Sequence, residues 1–192
     1  KQGARIRTSS LRRAAQLLHA RPDIIIVPLR GNLNTRLKKL ETESLDAIVL
    51  AAAGVRRLGM ADRITQILDQ SLMLPAVGQG ALCIETREAD AGIGPVAKAL
   101  NHPITRQVVM GERAFLNRLE GGCQVPIAGH GGIDDNIFSL TGLVCDVGGS
   151  NLIKQTHSGP ADQSERIGLE LAEALLDRGA GAILERLNAN EP

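Results

Sequence analysis

The sequence predicts an α/β chain in two parts: a parallel-sheet domain, then a small α+β domain in which helices cover one face of a three-stranded antiparallel meander. Three observations carry this. Over the first 76 residues, short apolar runs alternate with segments of helical spacing, the pattern of βαβ units. From residue 101, one amphipathic helical segment leads into three strand-length segments separated by turn residues. The 192 residues, 43% of them hydrophobic, suffice to bury two cores. The domain boundaries follow: 1–76 for the α/β part, 77–100 for a connecting strand and helix, and 101–192 for the α+β part.

Residues 4–7 read as the first strand. Thr8, Ser9 and Ser10 suit the N-cap of a helix running to residue 20, with Leu11, Ala14, Ala15 and Leu18 on one face and Pro22 as its stop. Residues 24–27 form a buried strand, Arg30-Gly31-Asn32 the turn after it, and Leu33, Leu37 and Leu40 repeat at helical spacing. Residues 46–52 make the next strand, and Gly54 opens a turn. A further strand is expected over 77–85, a short helix over 95–100, and an amphipathic helix over 105–119 closed by Gly121 and Gly122. The meander strands fall at 124–129, 137–146 and 152–157, with turns at Asp134-Asp135-Asn136 and Gly148-Gly149-Ser150. A last helix over 161–177 carries Ile167, Leu171 and Leu175 in phase, and a short one follows at 182–187.

Composition excludes several function classes. The longest apolar run, 47–55, falls far short of the roughly 20 residues that cross a bilayer, and no signal segment opens the chain, so a soluble cytoplasmic protein without a membrane partner is expected. Cys83, Cys123 and Cys145 are odd in number and widely spaced, which argues against disulfides. His19, His102, His130 and His157 lack metal-ligand spacing and read as surface or capping residues, so no metal is expected. Residues 1–60 hold 12 Lys and Arg against 4 Asp and Glu, a balance of +8, while residues 61–192 balance at −7. The basic half calls for an anionic partner. Nucleic acid is disfavoured, because Phe115 and Phe138 are the only aromatic residues and nothing else can stack on bases. A small polyanion fits better. The chain lacks an initiator Met and opens as if partway through a domain, so it is read as a fragment.

The arginines are placed selectively. Arg12 and Arg13 follow the first strand, Arg30 and Arg36 the second, Arg56 and Arg57 the third. In a parallel sheet the loops after the strands open on one edge, where α/β folds bind ligands and helix N-termini offer N–H groups to anions. Guanidinium forks pair bidentately with carboxylate or phosphate, each charged hydrogen bond being worth about 1.5–3 kcal/mol. A solvated basic face is the competing reading. Among the thiols, Cys83 and Cys145 fall in apolar strand patterns and should be buried, whereas Cys123 follows a glycine pair on a loop. It is open to two readings, a reactive or modified thiol and an incidental loop cysteine.

Four motifs share one further property. Thr8-Ser9-Ser10-Leu11-Arg12-Arg13, Leu29-Arg30-Gly31-Asn32 with Thr35-Arg36-Leu37, Ala76-Val77-Gly78-Gln79-Gly80, and Leu119-Glu120-Gly121-Gly122-Cys123-Gln124-Val125-Pro126 are ordered and spaced as in the porphobilinogen deaminase (hydroxymethylbilane synthase) family, which the chain resembles over nearly its whole length. The resemblance implies a periplasmic-binding-protein-like layout for the first domain. It implies a dipyrromethane cofactor joined by a thioether to Cys123, on which porphobilinogen units are polymerised head to tail with loss of ammonia and released as 1-hydroxymethylbilane. By the same carry-over Arg12, Arg13, Thr8, Ser9, Ser10 and Gln79 hold the cofactor, and Arg30, Arg36, Arg57 and Asn32 hold substrate carboxylates. Arg56 is the weaker member of its pair.

The family's catalytic aspartate, which stabilises the positive pyrrole nitrogen of an azafulvene-like intermediate, would precede Lys1 in an N-terminal domain missing here. No catalytic residue is therefore expected within the chain, the fragment alone should be inactive, and the 77–85 strand should lack some of its sheet partners. A monomer is expected. Asp46 starts a strand at the edge away from the arginines and reads as structural. Arg7 replaces the glycine usual in the family, and either disturbs the turn or adds to the anion site. A non-catalytic anion-binding module of periplasmic-binding type and a nucleic-acid binder are the alternatives from other classes.

Overall fold

The computed structural model describes residues 1–120 and 125–189. β1 (Arg5–Arg7), α1 (Leu11–Ala20), β2 (Ile25–Val27), α2 (Leu33–Thr42) and β3 (Ala47–Ile48) build a parallel sheet in the order β2-β1-β3, as expected from the alternating periods. Ile6 pairs with Ile26 on one side and Ala47 on the other. Leu17 and Leu18 of α1 pack over Ala4, Ile6, Ile24 and Ile26, so the helix stripe and the apolar strands cover each other. The serine cap is realised: Ser10 accepts from the Arg13 N–H, and Asn32 caps α2 by accepting from the Thr35 N–H at 2.9 Å.

The third strand is shorter than the apolar run 46–52 suggested. Among the described residues β3 is an edge strand paired with three-residue β1 alone, so the ladder ends after two pairs plus the Val49 N–H bond to Arg7 O. Beyond it, Ala51-Ala52-Ala53 follows its high helix propensity into α3 (Ala52–Arg57), and Gly54 lies inside that helix rather than in a turn. Residues 77–85 form turns and coil, not a strand, since an apolar run such as Ala81-Leu82-Cys83-Ile84 makes a strand only where a ladder partner exists. Cys83 is exposed as a result, against its expected burial.

α4 (Ile93–Ala99) follows in the connecting stretch, and the second unit comprises α5 (Pro103–Arg118), β4 (Ile127–Asp134), β5 (Ile137–Cys145), β6 (Leu152–Pro160), α6 (Ser164–Asp177) and α7 (Ala180–Asn188). The three strands form the expected antiparallel meander β4-β5-β6, joined at Asp135 and Asn136, both with left-handed backbone as a tight hairpin requires. β4 runs five residues past the expected end at 129, because Phe138 fills the space beside Gly131 and keeps that glycine stretch in the ladder. β6 likewise continues to Pro160. α5 and α6 cover one face, burying Phe115, Phe138, Leu140, Val144, Leu171 and Leu175. His102 caps α5, its ring nitrogen accepting from the Thr105 N–H, in line with a capping role. Gly121, Gly122 and Cys123 lie outside the described residues.

Two contacts fix the assembly. α5 and α6 cross so closely that a Cβ on Gly168 would overlap the Gly111 carbonyl oxygen. The other face of the meander receives the first unit: Ala15 of α1 and Leu74 pack on Ala128, Leu143 and Cys145. Gln16, only 4% exposed, holds Leu74 in the manner of a strand, accepting from its N–H at 2.8 Å and donating to its carbonyl at 3.1 Å. No helix among the described residues is long and apolar enough to cross a membrane.

Gly168→Ala should therefore lower stability by about 1–3 kcal/mol through overpacking. Gln16→Leu should cost about 1–3 kcal/mol by orphaning the buried Leu74 N–H. Urea unfolding followed by far-UV circular dichroism measures both, because the chain has no Trp or Tyr to report by fluorescence.

Candidate functional site

The strand order puts the C-terminal ends of β2, β1 and β3 side by side, and the loops there are shaped by their own hydroxyls. Thr8 is buried, and its Oγ1 accepts from the Ser10 N–H at 3.2 Å. Ser9 Oγ both donates to Leu29 O and accepts from Leu29 N–H, at 2.6 and 2.7 Å, stitching the β1 loop to the end of β2. Ser10 spends a lone pair on capping α1 and keeps its O–H donor for another partner. Asn32 spends its carbonyl oxygen on Thr35 and keeps its amide donors.

Over this edge the structure brings three arginines together. Arg12 donates to Leu74 O at 2.7 Å and Arg13 to Val49 O at 3.2 Å, while Arg36 Nε donates to Gly31 O at 2.8 Å. Burial pulls the Arg12 pKa down to about 10, and repulsion from Arg13 adds to the fall. The Arg13 pKa is lowered too, first by burial and then by Arg36. Elsewhere arginines meet acids: Arg7 with Glu43 at 2.5 Å, Arg21 with Asp23 at 2.7 Å, Arg63 with Glu41 at 2.5 Å and Arg118 with Glu173 at 2.6 Å. Among the described residues no such ion pair joins Arg12, Arg13, Arg30, Arg36, Arg56 or Arg57. A solvated basic face would not be half-buried, so that competing reading is the poorer one for the trio.

The remaining sites separate. Arg30 is exposed just after β2, next to Leu29, which Ser9 holds. Arg56 and Arg57 are exposed in the last turn of α3, a helix away from the sheet edge and not in the loop after β3. Arg7 has its charge taken by Glu43 and sits in regular β1, so neither a disturbed turn nor a free cation results. Asp46 accepts from the Arg5 N–H at 2.8 Å and pairs with Lys1 at 2.7 Å, which lowers its pKa at the edge away from the arginines. Cys145 is buried, its thiol pKa pushed up to about 12 by desolvation and then by Asp146. Cys123 lies outside the described residues, in sequence between α5 and β4.

Gln79 is exposed on a pair of consecutive turns. Gln79 N–H bonds Ala76 O at 3.0 Å and Ala81 N–H bonds Gly78 O at 3.1 Å, with Gly78 and Gly80 at the third turn positions and φ of +69° and +95°. Such turns require glycine there. Glu112 of α5, 4% exposed, reaches this loop: its Oε2 accepts from Gly78 N–H at 2.6 Å and its Oε1 from Gly131 N–H at 2.7 Å. Sequence reasoning missed both Glu112 and Gln16. The available signal was Glu112 in phase with the apolar stripe Val108, Gly111, Phe115 and Leu119, since a charge in such a stripe is buried only when paired.

Two family models match the chain: "Porphobilinogen deaminase, dipyromethane cofactor binding domain" over residues 1–94, and "Porphobilinogen deaminase, C-terminal domain" over 106–177. The first spans the arginines and Gln79. Similar curated proteins are the porphobilinogen deaminases of Pelobacter propionicus, 51% identical over 98% of this chain and 61% of the relative, and of Syntrophotalea carbinolica, 52% over 97% and 59%. That of Nostoc sp. is 52% identical over 97% of this chain and 58% of its own. The chain thus spans about three-fifths of the length of the curated relatives it matches.

The trio makes a prediction independent of any relative. Citrate should raise the melting temperature above that in chloride of equal ionic strength, approaching about 2.7 kcal/mol of stabilisation at a hundred times its Kd. Arg13→Gln should remove most of the increment, and Arg118→Gln, a change in a residue paired with Glu173, should leave it.

Proposed function

The chain belongs to the porphobilinogen deaminase family, and from that premise we propose that it supplies the cofactor-holding and carboxylate-holding part of an enzyme that polymerises porphobilinogen into 1-hydroxymethylbilane. The single observation that carries the reading is the trio Arg12, Arg13 and Arg36, partly stripped of water and without an acid among the described residues. Such a site stores an unmet demand for negative charge.

A dipyrromethane fits that demand. It is two pyrroles each bearing an acetate and a propionate, so it presents several carboxylates at guanidinium spacing. When bound through Cys123 it supplies the primer onto which porphobilinogen units add head to tail with loss of ammonia. The chain's residues do the holding. Arg12 and Arg13 have their guanidinium groups braced by Leu74 O and Val49 O, which leaves further N–H donors for carboxylates. Ser10 adds its O–H, and Thr8 and Ser9 act by fixing the loop from which Arg12 and Arg13 rise. Arg36, Arg30 and Asn32 line the next loop and take carboxylates of incoming pyrrole, as does Arg57 from the end of α3, with Arg56 secondary. Gln79 contributes its amide from the glycine turns. Among the described residues no acid pairs with the trio, and by the family resemblance the acid that handles the pyrrole nitrogen belongs to the part of the relatives that this chain does not span. The division 1–76, 77–100 and 101–192, a cytoplasmic location and a monomeric state complete the proposal.

Intact-mass analysis of the full-length protein should show an increment of two pyrrole units that Cys123→Ser abolishes. A protein with no increment, yet still binding carboxylates through the trio, would instead be a non-catalytic anion-binding module. Residues 1–192 alone should form no hydroxymethylbilane from porphobilinogen. Turnover by the isolated chain would show that the essential acid lies within it.

A further inference from the structure

Among the described residues β4 is an edge strand, paired in the sheet with β5, so its outward N–H groups need partners from outside the ladder. Ile127 N–H bonds Val125 O and Gly129 N–H bonds Pro75 O at 3.1 Å. The next outward group, Gly131 N–H, is met by a carboxylate oxygen of Glu112 in place of a backbone carbonyl. The second oxygen of the same carboxylate takes Gly78 N–H, at the third position of the turn that presents Gln79. One buried side chain thus satisfies an N–H of the α+β unit and an N–H of the glycine turns at once. Both partners are donors, so only a group with two acceptor oxygens serves; an amide would set its NH2 against one of the N–H groups.

We infer that Glu112 is a positioning residue for the reaction, fixing the Gly78–Gln79 turn against the unit that carries Cys123 and thereby setting where Gln79 meets the cofactor carboxylates. This deepens the proposed function and rests on it. Glu112 touches neither substrate nor cofactor; it acts through the turn.

The test uses the full-length holoenzyme with Glu112→Gln and Glu112→Asp, alone and combined with Gln79→Ala. Glu112→Gln should keep a cooperative melt and the Cys123 mass increment, speed amide exchange at Gly78 by about ten-fold or more, and lower kcat/KM for porphobilinogen by a similar factor. Combined with Gln79→Ala, it should lower kcat/KM little beyond Gln79→Ala alone, because both changes act on one contact. Glu112→Asp keeps two acceptor oxygens and should restore part of the loss. Unchanged kcat/KM, unchanged Gly78 exchange, or effects of Glu112→Gln and Gln79→Ala that simply multiply would each overturn the inference. If Glu112→Gln does not fold, the same cycle with Glu112→Asp decides between those outcomes. An unmutated protein lacking both increment and turnover would instead remove the underlying function, a result visible before any Glu112 variant is made.

Discussion

The strap from Leu74 to Gly78 is the constraint on which the two units depend. Its side chains pack on the α+β unit, Leu74 on Ala128, Leu143 and Cys145 and Val77 against the main core, while its backbone hydrogen-bonds to groups from both sides. Gln16 holds both polar groups of Leu74, and Arg12 shares the Leu74 carbonyl. Pro75 O and Gly78 N–H then turn to the edge of β4 and to Glu112. The strap therefore behaves as an extra strand with a polar partner on each flank. Because Arg12 is anchored on it, the orientation of one guanidinium in the trio is set by the same backbone that docks the α+β unit.

That coupling gives physical content to the arginine cluster. A cation half-removed from water next to other cations costs stability, and proteins ordinarily relieve the cost with an acid, as Arg7, Arg63 and Arg118 show here. Among the described residues Arg12 and Arg13 meet neutral carbonyls and no acid, and the carbonyls orient the groups without cancelling their charge. Arginine suits this arrangement better than lysine would, because it stays protonated even with its pKa pulled to about 10, and its fork can serve a carbonyl and a carboxylate together. The mutual repulsion within the trio and the polyanion affinity proposed for it have one origin.

Much of this was legible in the residues. Among the described residues periodicity located each α-helix except α3, and the turn residues at Asp135-Asn136 and Gly148-Gly149 set the meander. The motif around Ser10, Arg12 and Arg13 lies after β1, at the C-terminal ends of the parallel strands where the sequence put it. Three failures share one cause, the absence of partner information in a linear pattern. Residues 77–85 carry a strand-length apolar run but have no ladder among the described residues, Cys83 is exposed with them, and β3 ends where its short neighbour ends. The partners of Gln16 and Glu112 were illegible for a related reason: Leu74 and Gly78 lie 58 and 34 residues away and offer backbone groups, which carry no sequence signature, although the place of Glu112 in an apolar stripe marked it as a buried charge. Arg57 shows the opposite limit, for order along the chain put it after a strand while three alanines moved it to the end of a helix.

The charge asymmetry between the halves finds its explanation in how the acids are spent. Residues 61–192 carry the negative balance, yet their acids serve their own unit, Glu173 with Arg118 and Glu170 with Arg166, while Asp146 is engaged by Ser150 and Asn151. Glu112, the acid nearest the strap, is buried and directed to N–H groups. The acidic half therefore docks through Ala15, Leu74, Leu143 and Cys145, an apolar contact, and leaves the positive field at the sheet edge intact. Had the interface been built from cross-domain ion pairs with the trio, docking and anion binding would compete for the same guanidinium groups. Building it from backbone bonds and apolar packing lets the chain keep its units together and its arginines available at the same time.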